Sequence, residues 1–340
     1  MEEKNLIFLI SQPRAGSTLL QLMLSEHPEI ATTSEPWIAL HPICALREQG
    51  MEAPYDASLA VKTLRSFLVQ SGVDERFYKK QIASFLLSFY KQAAGDQKKG
   101  FFLDKTPRYY HVIEELMEIF PEAKFIILIR NPMAVLNSVL KTWIKGDLTR
   151  LVLYYKDLMD APERLLGALK NHSGRSLKVV YEELVVSPER VLKEICGFVG
   201  IPYSVDLLEY SGKRSSGLKF GDPSGVHKTN RPNKGSLDSW KKGFVTPQER
   251  FLAMTYLERL GPKLVKEMGY DFDDMASFIE PPQESKRLIS WQEIEDDTES
   301  RKTLMLDDVR KERDALLNSF SWKITAPLRK ISELMSGNKY

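Results

Sequence analysis

The residues best placed to do chemistry lie in a short polar turn near the N-terminus. Residues 12–18 read QPRAGST, and they include Arg14, Gly16 and the hydroxyl pair Ser17 and Thr18. Glycine lets a backbone approach a ligand closely, and both hydroxyls can cap a helix. Because free N–H groups at a helix start favour an anion, this turn predicts a phosphate-binding site. An ordinary capped turn of an α/β protein is the alternative, and the turn alone leaves both open.

Four further polar side chains stand where predicted strands end. The strands cover residues 29–33, 101–103, 125–129 and 176–180, and the residues at or just beyond their ends are Glu35, Lys105, Arg130 and Tyr181. In an open parallel sheet, ligands bind outside the carboxyl ends of the strands. Taken singly, each side chain could be a solvated loop residue. Together with Arg14 they predict one ligand-binding edge.

A framework of alternating strands and helices must position these residues. Residues 6–11 predict a first strand, and residues 18–24 predict the helix that follows it. Apolar residues at three- and four-residue spacing predict further helices over residues 58–69, 77–90, 111–120, 188–199 and 246–268. Strands alternating with helices predict an α/β fold, with a mostly parallel, doubly wound central sheet flanked by helices.

The amino-acid composition argues against several kinds of binding partner and structural site. The 340 residues include 48 Lys and Arg against 46 Asp and Glu, so the net charge of +2 indicates neither nucleic acid nor a membrane as a partner. Cys44 and Cys196 form no CxxC pair, which argues against a disulfide framework, and we expect no metal site. The short apolar run at the N-terminus predicts neither a signal peptide nor a membrane span. A cytoplasmic location is the expectation.

The chain divides into one large domain and a tail. We expect the domain to cover residues 1–275, with a helical insertion at 41–97 that shapes the acceptor side of the site. Residues 276–303 read as a linker and 304–340 as a helical tail, which either docks on a protein partner or membrane surface or packs back on its own domain. The basic stretch 210–242 is either a solvated loop or a flap that closes over an anionic ligand.

Three separated stretches stand out in order along the chain: FLISQPRAGSTLL, FIILIRNPMAVLNSVL and NKGSLDSWKKGF, with YEELVVSPERVLKEICGFVGIP between the last two. Together they resemble sulfotransferases that use 3′-phosphoadenosine 5′-phosphosulfate (PAPS), in the bacterial and tyrosylprotein branch. The first resembles the 5′-phosphosulfate loop of that family, the second its 3′-phosphate element and the third its late RKGxxGDWKxxF segment. The resemblance covers roughly residues 5–250 and implies a P-loop-like sandwich, with PAPS as the sulfuryl donor and no metal.

The resemblance also implies roles for individual residues. Glu35 corresponds to the proposed general base, and Lys105 to a lysine proposed to stabilise the transferred group. As a cation in the polar turn, Arg14 suits the same task as Lys105, and His41, which lies near Glu35 in sequence, is a rival base. The residues implied to bind PAPS are Arg14, Ala15, Gly16, Ser17, Thr18, Arg130, Ser138, Tyr181, Lys234, Gly235 and Trp240.

Two departures from the family pattern bear on the ligands. Asn233 stands where many relatives have arginine, so Arg231 or Lys234 would have to supply that contact. Trp37 stands where tyrosylprotein enzymes have an arginine, which argues against a tyrosine-peptide acceptor. The tail, SFSWKITAPLRKI, is similar to tails of bacterial enzymes of surface-polysaccharide assembly, so we expect a small-molecule or glycan acceptor carrying a hydroxyl or an amine.

Two other functions remain alternatives. A kinase that uses ATP and magnesium would need the GxxxxGK[ST] spacing, which is absent, and an acidic metal ligand where Arg130 stands. A non-catalytic nucleotide-binding scaffold of a polysaccharide assembly complex would require Glu35 and Lys105 to be dispensable.

Overall fold

A parallel five-stranded sheet organises the protein. The computed structural model describes residues 1–33, 35–48, 55–210, 231–282 and 287–296. The strands are Leu6–Ser11 (β1), Ile30–Thr33 (β2), Phe101–Lys105 (β3), Lys124–Ile129 (β4) and Ser176–Val180 (β5), in the spatial order β2-β3-β1-β4-β5. Every pairing between neighbours is parallel. The predicted α/β fold with a mostly parallel sheet is therefore confirmed.

Helices cover both faces of the sheet. They are Ser17–Ser25 (α1), Leu40–Cys44 (α2), Ala57–Gln70 (α3), Glu75–Asp96 (α4), Ile113–Ile119 (α5), Pro132–Val139 (α6), Tyr155–Asn171 (α7), Tyr181–Val186 (α8), Pro188–Val199 (α9), Pro247–Met268 (α10), Phe272–Ser277 (α11) and Trp291–Asp296 (α12). None of the helices within the described ranges is long and apolar enough to cross a bilayer.

Strand β1 shows why this sequence forms a two-sided core. All six of its residues are buried, and successive side chains of a strand point to opposite faces. Leu6, Phe8 and Ile10 pack with the cluster that includes residues of α4, α5 and α7. Ile7 and Leu9 pack with the cluster under α1, α8 and α9. A strand buried on both faces is continuously apolar, as this one is.

Strand order places a crevice beside the end of β1. The chain runs from β1 to β2 and β3 on one side and then crosses to β4 on the other. Connections that leave in opposite directions open a crevice at the carboxyl ends of the central strands, where ligands bind in sheets of this kind. The turn between β1 and α1 therefore lies at the crevice.

Two boundaries differ from prediction for local reasons. The predicted helix 111–120 begins only at Ile113, because Pro107 opens a 3-10 segment, Pro107–Val112, in front of it. Strand β3 continues through Lys105, so this lysine is the last residue of the strand and not a loop residue beyond it.

Part of the predicted linker packs on the domain. Trp291 of α12 is buried, and its indole N–H donates to the carbonyl oxygen of Leu252 on α10 at 2.9 Å. The predicted helical tail 304–340 and residues 211–230 of the basic stretch lie outside the described residues.

Candidate functional site

The turn after β1 presents backbone N–H groups to the crevice. Gly16 has left-handed backbone angles (φ 97°) and is the N-cap of α1, while Ser17 is the first helical residue. No side chain of the described residues caps this helix, so the prediction that Ser17 or Thr18 caps it is wrong. The glycine takes the cap position, which leaves the first N–H groups of the helix without a side-chain acceptor. An anion placed there would receive them.

Tyr181 and Arg130 close the other side of this turn. A Cβ at Gly16 would lie 2.4 Å from Cδ2 and Cε2 of the Tyr181 ring, so only glycine fits. The Arg130 guanidinium carbon lies 4.2 Å from the centroid of the same ring, and Arg130 Nη1 donates to the carbonyl oxygen of Arg14 at 2.9 Å. Arg130 Nε is buried and has no hydrogen-bond partner among the described residues. The structure thus brings the ends of β1, β4 and β5 together.

Arg14 connects the turn to α6. Its backbone is left-handed (φ 69°), and its Nε donates to Ser138 Oγ at 3.1 Å. The guanidinium carbon also lies 5.4 Å from the centroid of the Trp143 ring. Ser138, which the resemblance pairs with Arg130 in the 3′-phosphate element, is hydrogen-bonded to Arg14 here.

Glu35 and Lys105 form an ion pair at the other end of the crevice. Lys105 Nζ lies 2.9 Å from Glu35 Oε1, and the side chains are 0% and 18% exposed respectively. Strands β2 and β3 are neighbours with Thr33 opposite Asp104, which is why the two residues meet. The Trp37 indole N–H donates to the other carboxylate oxygen, Oε2, at 3.3 Å. His41 is exposed on α2 and makes no hydrogen bond to Glu35 among the described contacts.

A buried network anchors the segment that carries Glu35. Asp104 Oδ2 accepts hydrogen bonds from Tyr90 (2.6 Å) and Tyr109 (3.1 Å), and Oδ1 accepts one from Thr106 (2.7 Å). The backbone N–H of Ala39 donates to the Tyr109 hydroxyl at 3.1 Å. Burial raises the pKa of Asp104 to about 6, against the effect of these hydrogen bonds.

A second buried network lies beside Trp37 and was not predicted. Arg108 donates to both carboxylate oxygens of Asp157, from Nε at 3.0 and 3.1 Å and from Nη2 at 2.6 Å. Tyr110 donates to the same carboxylate at 2.9 Å. The Arg108 guanidinium carbon is 5.7 Å from the ring centroids of both Trp37 and Trp143. Arg108 follows Lys105 closely in sequence, but nothing local indicates its partner on α7.

The late segment contributes packing and exposed residues. Trp240 is buried in a hydrophobic cluster that also contains Ala15 of the turn and residues of α6, so it packs with the turn and with α6. Lys234 and Gly235 are exposed, and the Gly235 N–H donates to the side chain of Asn233 at 2.8 Å. Arg231 forms an ion pair with Glu209. The described contacts do not join Lys234 or Gly235 to Arg130.

Gly243 is a further close contact that sequence reasoning missed. A Cβ at Gly243 would lie 2.2 Å from Asn137 Oδ1, an oxygen that is buried without a hydrogen-bond partner in the described part of the chain.

Within the described part of the chain, no group of three or more His, Cys, Asp or Glu side chains could hold a metal ion.

A sequence profile of the sulfotransferase family matches residues 6–205. The chain belongs to the sulfotransferase family. The match includes Arg14, Glu35, Lys105, Arg130, Ser138 and Tyr181, and it ends before Lys234, Gly235 and Trp240. The resemblance stated from the sequence is confirmed at the level of the family.

Two curated relatives illustrate the similarity. The nodulation protein NoeE of Sinorhizobium fredii is 29% identical over 291 residues, which are 78% of this chain and 65% of that protein. Protein-tyrosine sulfotransferase 1 of Danio rerio is 26% identical over 212 residues, which are 60% of this chain and 56% of that protein. The chain thus spans between about half and two thirds of these sulfotransferase-family relatives.

A solved structure supports the fold. The sulfotransferase domain from the curacin biosynthetic pathway superposes with a TM-score of 0.51 at 22% identity, covering 78% of this chain and 97% of that one. The sulfotransferase fold is therefore shared.

Proposed function

We propose that the chain transfers a sulfuryl group from PAPS to a hydroxyl or amine of a small-molecule or glycan acceptor, with Glu35 as the general base. The observation that carries this proposal is the Glu35–Lys105 pair, 2.9 Å apart at the same sheet edge as the uncapped glycine turn. A carboxylate that can take a proton and an ammonium that can balance negative charge thus lie at the same edge of the sheet as the glycine turn.

The residues present fit the nucleotide donor. Arg130 Nε is a buried donor without a partner among the described residues, and an acceptor oxygen of a phosphate would satisfy it. Gly16 lets the turn pass under the Tyr181 ring and leaves the first-turn N–H groups of α1 without a side-chain cap, so an anion can receive them. We infer that residues 14–18 hold the 5′ end and that Arg130 holds the 3′-phosphate. When bound, PAPS supplies the sulfuryl group together with a good leaving group.

The chain's own residues provide the rest of the chemistry. Glu35 accepts the proton of the acceptor hydroxyl, and a positioned base of this kind contributes about 10²–10⁴-fold to the rate. Lys105 and Arg14 are preorganised cations that stabilise negative charge as it develops on the transferred group and leaving oxygen. The Trp37 N–H holds Oε2 and Lys105 holds Oε1, so the carboxylate is fixed in orientation.

A direct test follows the product. The full chain is incubated with PAPS and a panel of hydroxyl and amine acceptors, and both the sulfated product and adenosine 3′,5′-bisphosphate are quantified. We expect Glu35→Gln to lower kcat by about 10²-fold or more with unchanged nucleotide affinity. Glu29→Gln, which changes an exposed carboxylate near the start of β2, is the matched control and should match the wild type. A Glu35→Gln protein with normal turnover would contradict the assignment of the base.

A further inference from the structure

Trp37 stands out beside the proposed base. The residue is 36% exposed, although its indole N–H donates a hydrogen bond to Glu35. Its backbone is left-handed (φ 53°), a conformation that costs an L-residue energy and that persists where the surroundings hold it. An indole held in this way, with its polar edge on the base and part of its ring open, is arranged to contact the molecule from which Glu35 takes a proton.

The Arg108 guanidinium lies near the same indole ring, and one of its nitrogens makes no hydrogen bond among the described residues. Asp157 occupies Nε and Nη2, while Nη1 makes no hydrogen bond among the described residues. The Arg108 and Asp157 side chains are 27% and 5% exposed, so the carboxylate fixes the guanidinium from the buried side. A fixed, partly exposed guanidinium offers a directed donor to an oxygen of the acceptor.

The charges at this end of the crevice select among acceptor classes. Both nearby carboxylates are already paired, Glu35 with Lys105 and Asp157 with Arg108. A cationic amine would therefore find no unpaired carboxylate to balance its charge, and taking that charge out of water costs free energy. A neutral acceptor rich in hydroxyl groups meets no such penalty.

A side chain covers part of the sheet edge next to Glu35. Strand β2 is at the edge of the sheet, where a peptide could add as a further strand. The Gln97 side chain accepts from the Thr32 N–H at 3.3 Å and donates to the Thr32 carbonyl oxygen at 3.2 Å. The side-chain amide thus occupies the backbone N–H and carbonyl groups of Thr32, which an added peptide strand would need.

From these observations, and resting on the proposed function, we propose that Trp37 and Arg108 form the acceptor subsite and that the acceptor is a carbohydrate. A pyranose ring presents an apolar C–H face to the open part of the indole, while Arg108 Nη1 donates to a ring oxygen or hydroxyl. The neighbouring hydroxyl then lies against Glu35. An aromatic body next to a few placed polar groups is the composition of small-molecule sites in general.

Saturation-transfer NMR on the full chain tests this proposal, with adenosine 3′,5′-bisphosphate titrated first. The probes are methyl β-D-glucopyranoside, methyl β-D-galactopyranoside and methyl α-D-mannopyranoside, with N-acetyltyrosinamide and butylamine for comparison. We expect transfer to the ring protons of at least one pyranoside, and weaker transfer to the phenol and the amine. Trp37→Ala should reduce pyranoside affinity at least about tenfold, and Trp37→Phe should restore part of it.

Two further variants sharpen the outcome. Arg108→Lys keeps the positive charge but loses the planar guanidinium with its several N–H donors. It should lower the affinity for the pyranoside without changing nucleotide affinity. Phe67→Ala removes an exposed aromatic ring from α3 and should change neither. Wild-type pyranoside affinity in Trp37→Ala, a stronger signal from the phenol or amine, or no transfer to any pyranoside would overturn the proposal. Failure of the nucleotide titration with intact pyranoside binding would contradict the proposed function and leave the subsite standing.

Discussion

Lys105 and Glu35 depend on each other at the level of single residues. The lysine side chain is completely buried, and its ammonium makes a 2.9 Å contact with a carboxylate that is itself only 18% exposed. Burying an ammonium without a partner costs several kcal/mol, whereas the pair satisfies both charges. Removal of either the proposed base or the proposed electrostatic residue alone should therefore destabilise the fold around the crevice.

A double-mutant cycle separates these two roles. Either Glu35→Gln or Lys105→Met alone leaves one partner uncompensated and should destabilise the protein by about 3–5 kcal/mol. The double variant removes both charges, so it should be more stable than the sum of the single losses predicts. Urea unfolding of the four proteins measures this coupling. Additive losses would show that the two side chains do not interact in the folded protein.

The segment from Glu35 to Ala39 is fixed by a neighbouring element. The Ala39 N–H donates to the Tyr109 hydroxyl, which in turn donates to Asp104 on β3. The strand thus holds the segment twice, once through Asp104 and once through Lys105. The 3-10 segment Pro107–Val112 supplies both Tyr109 and Arg108, so it positions the two sides of the acceptor end.

Removing the Tyr109 hydroxyl tests this anchor. Tyr109→Phe leaves the buried Ala39 N–H without an acceptor, and we expect a loss of about 1–3 kcal/mol in stability. Tyr90→Phe is the matched control, because Tyr90 donates to the same Asp104 oxygen from α4 and does not bond to residues 35–39 among the described contacts. Tyr109→Phe should lower kcat for transfer well below that of Tyr90→Phe. Equal kcat values at equal stability would remove the positioning role.

The sequence alone predicted the candidate site residues that stand at the ends of strands. Glu35, Lys105, Arg14, Arg130 and Tyr181 each stand at or near the end of a parallel strand, and parallel strands bring their carboxyl ends to one edge. Which of these residues meet depends on the order of the strands in the sheet, and that order was not readable from the sequence.

Long-range side-chain pairs escaped prediction. Arg108 and Asp157 are 49 residues apart, and Arg14 reaches Ser138 across 124 residues. No local pattern encodes such partners, because packing of α6 and α7 over the crevice brings them together. The missing cap on α1 had a different cause, since the sequence offers two hydroxyls but the backbone places Gly16 at the cap.

At the scale of the whole molecule, buried Asp104 and half-buried His111 affect the pH dependence of stability in opposite directions. Burial raises the pKa of Asp104 from 3.8 to about 6, so its contribution to stability is complete below pH 3.8 and is lost as pH rises through 6. The loss amounts to about 3 kcal/mol. Burial lowers the pKa of His111 from 6.5 to about 4, so its contribution is present above pH 6.5 and is lost as pH falls through 4.

Single substitutions should separate the effects of Asp104 and His111 on the free energy of unfolding. With Asp104→Asn, the free energy of unfolding should rise more steeply from pH 4 to pH 6.5 than in the wild type. The reason is that the stability gained from His111 over this interval is then no longer offset by the stability lost from Asp104. With His111→Gln it should fall over the same interval. Urea unfolding at several pH values measures both slopes, and three parallel curves would show that neither group titrates differently in the folded protein.

Isothermal titration calorimetry with adenosine 3′,5′-bisphosphate and adenosine 5′-phosphate tests the central claim most directly. A charge-assisted hydrogen bond to the 3′-phosphate contributes roughly 1.5–3 kcal/mol, so the wild type should bind the bisphosphate at least about tenfold more tightly. Arg130→Ala should remove most of that difference and barely change the affinity for the monophosphate. Arg190→Ala, in an exposed ion pair with Glu183, is the control and should behave as the wild type. Equal wild-type affinities for the two nucleotides, or equal losses in Arg130→Ala, would contradict a PAPS-dependent sulfotransferase.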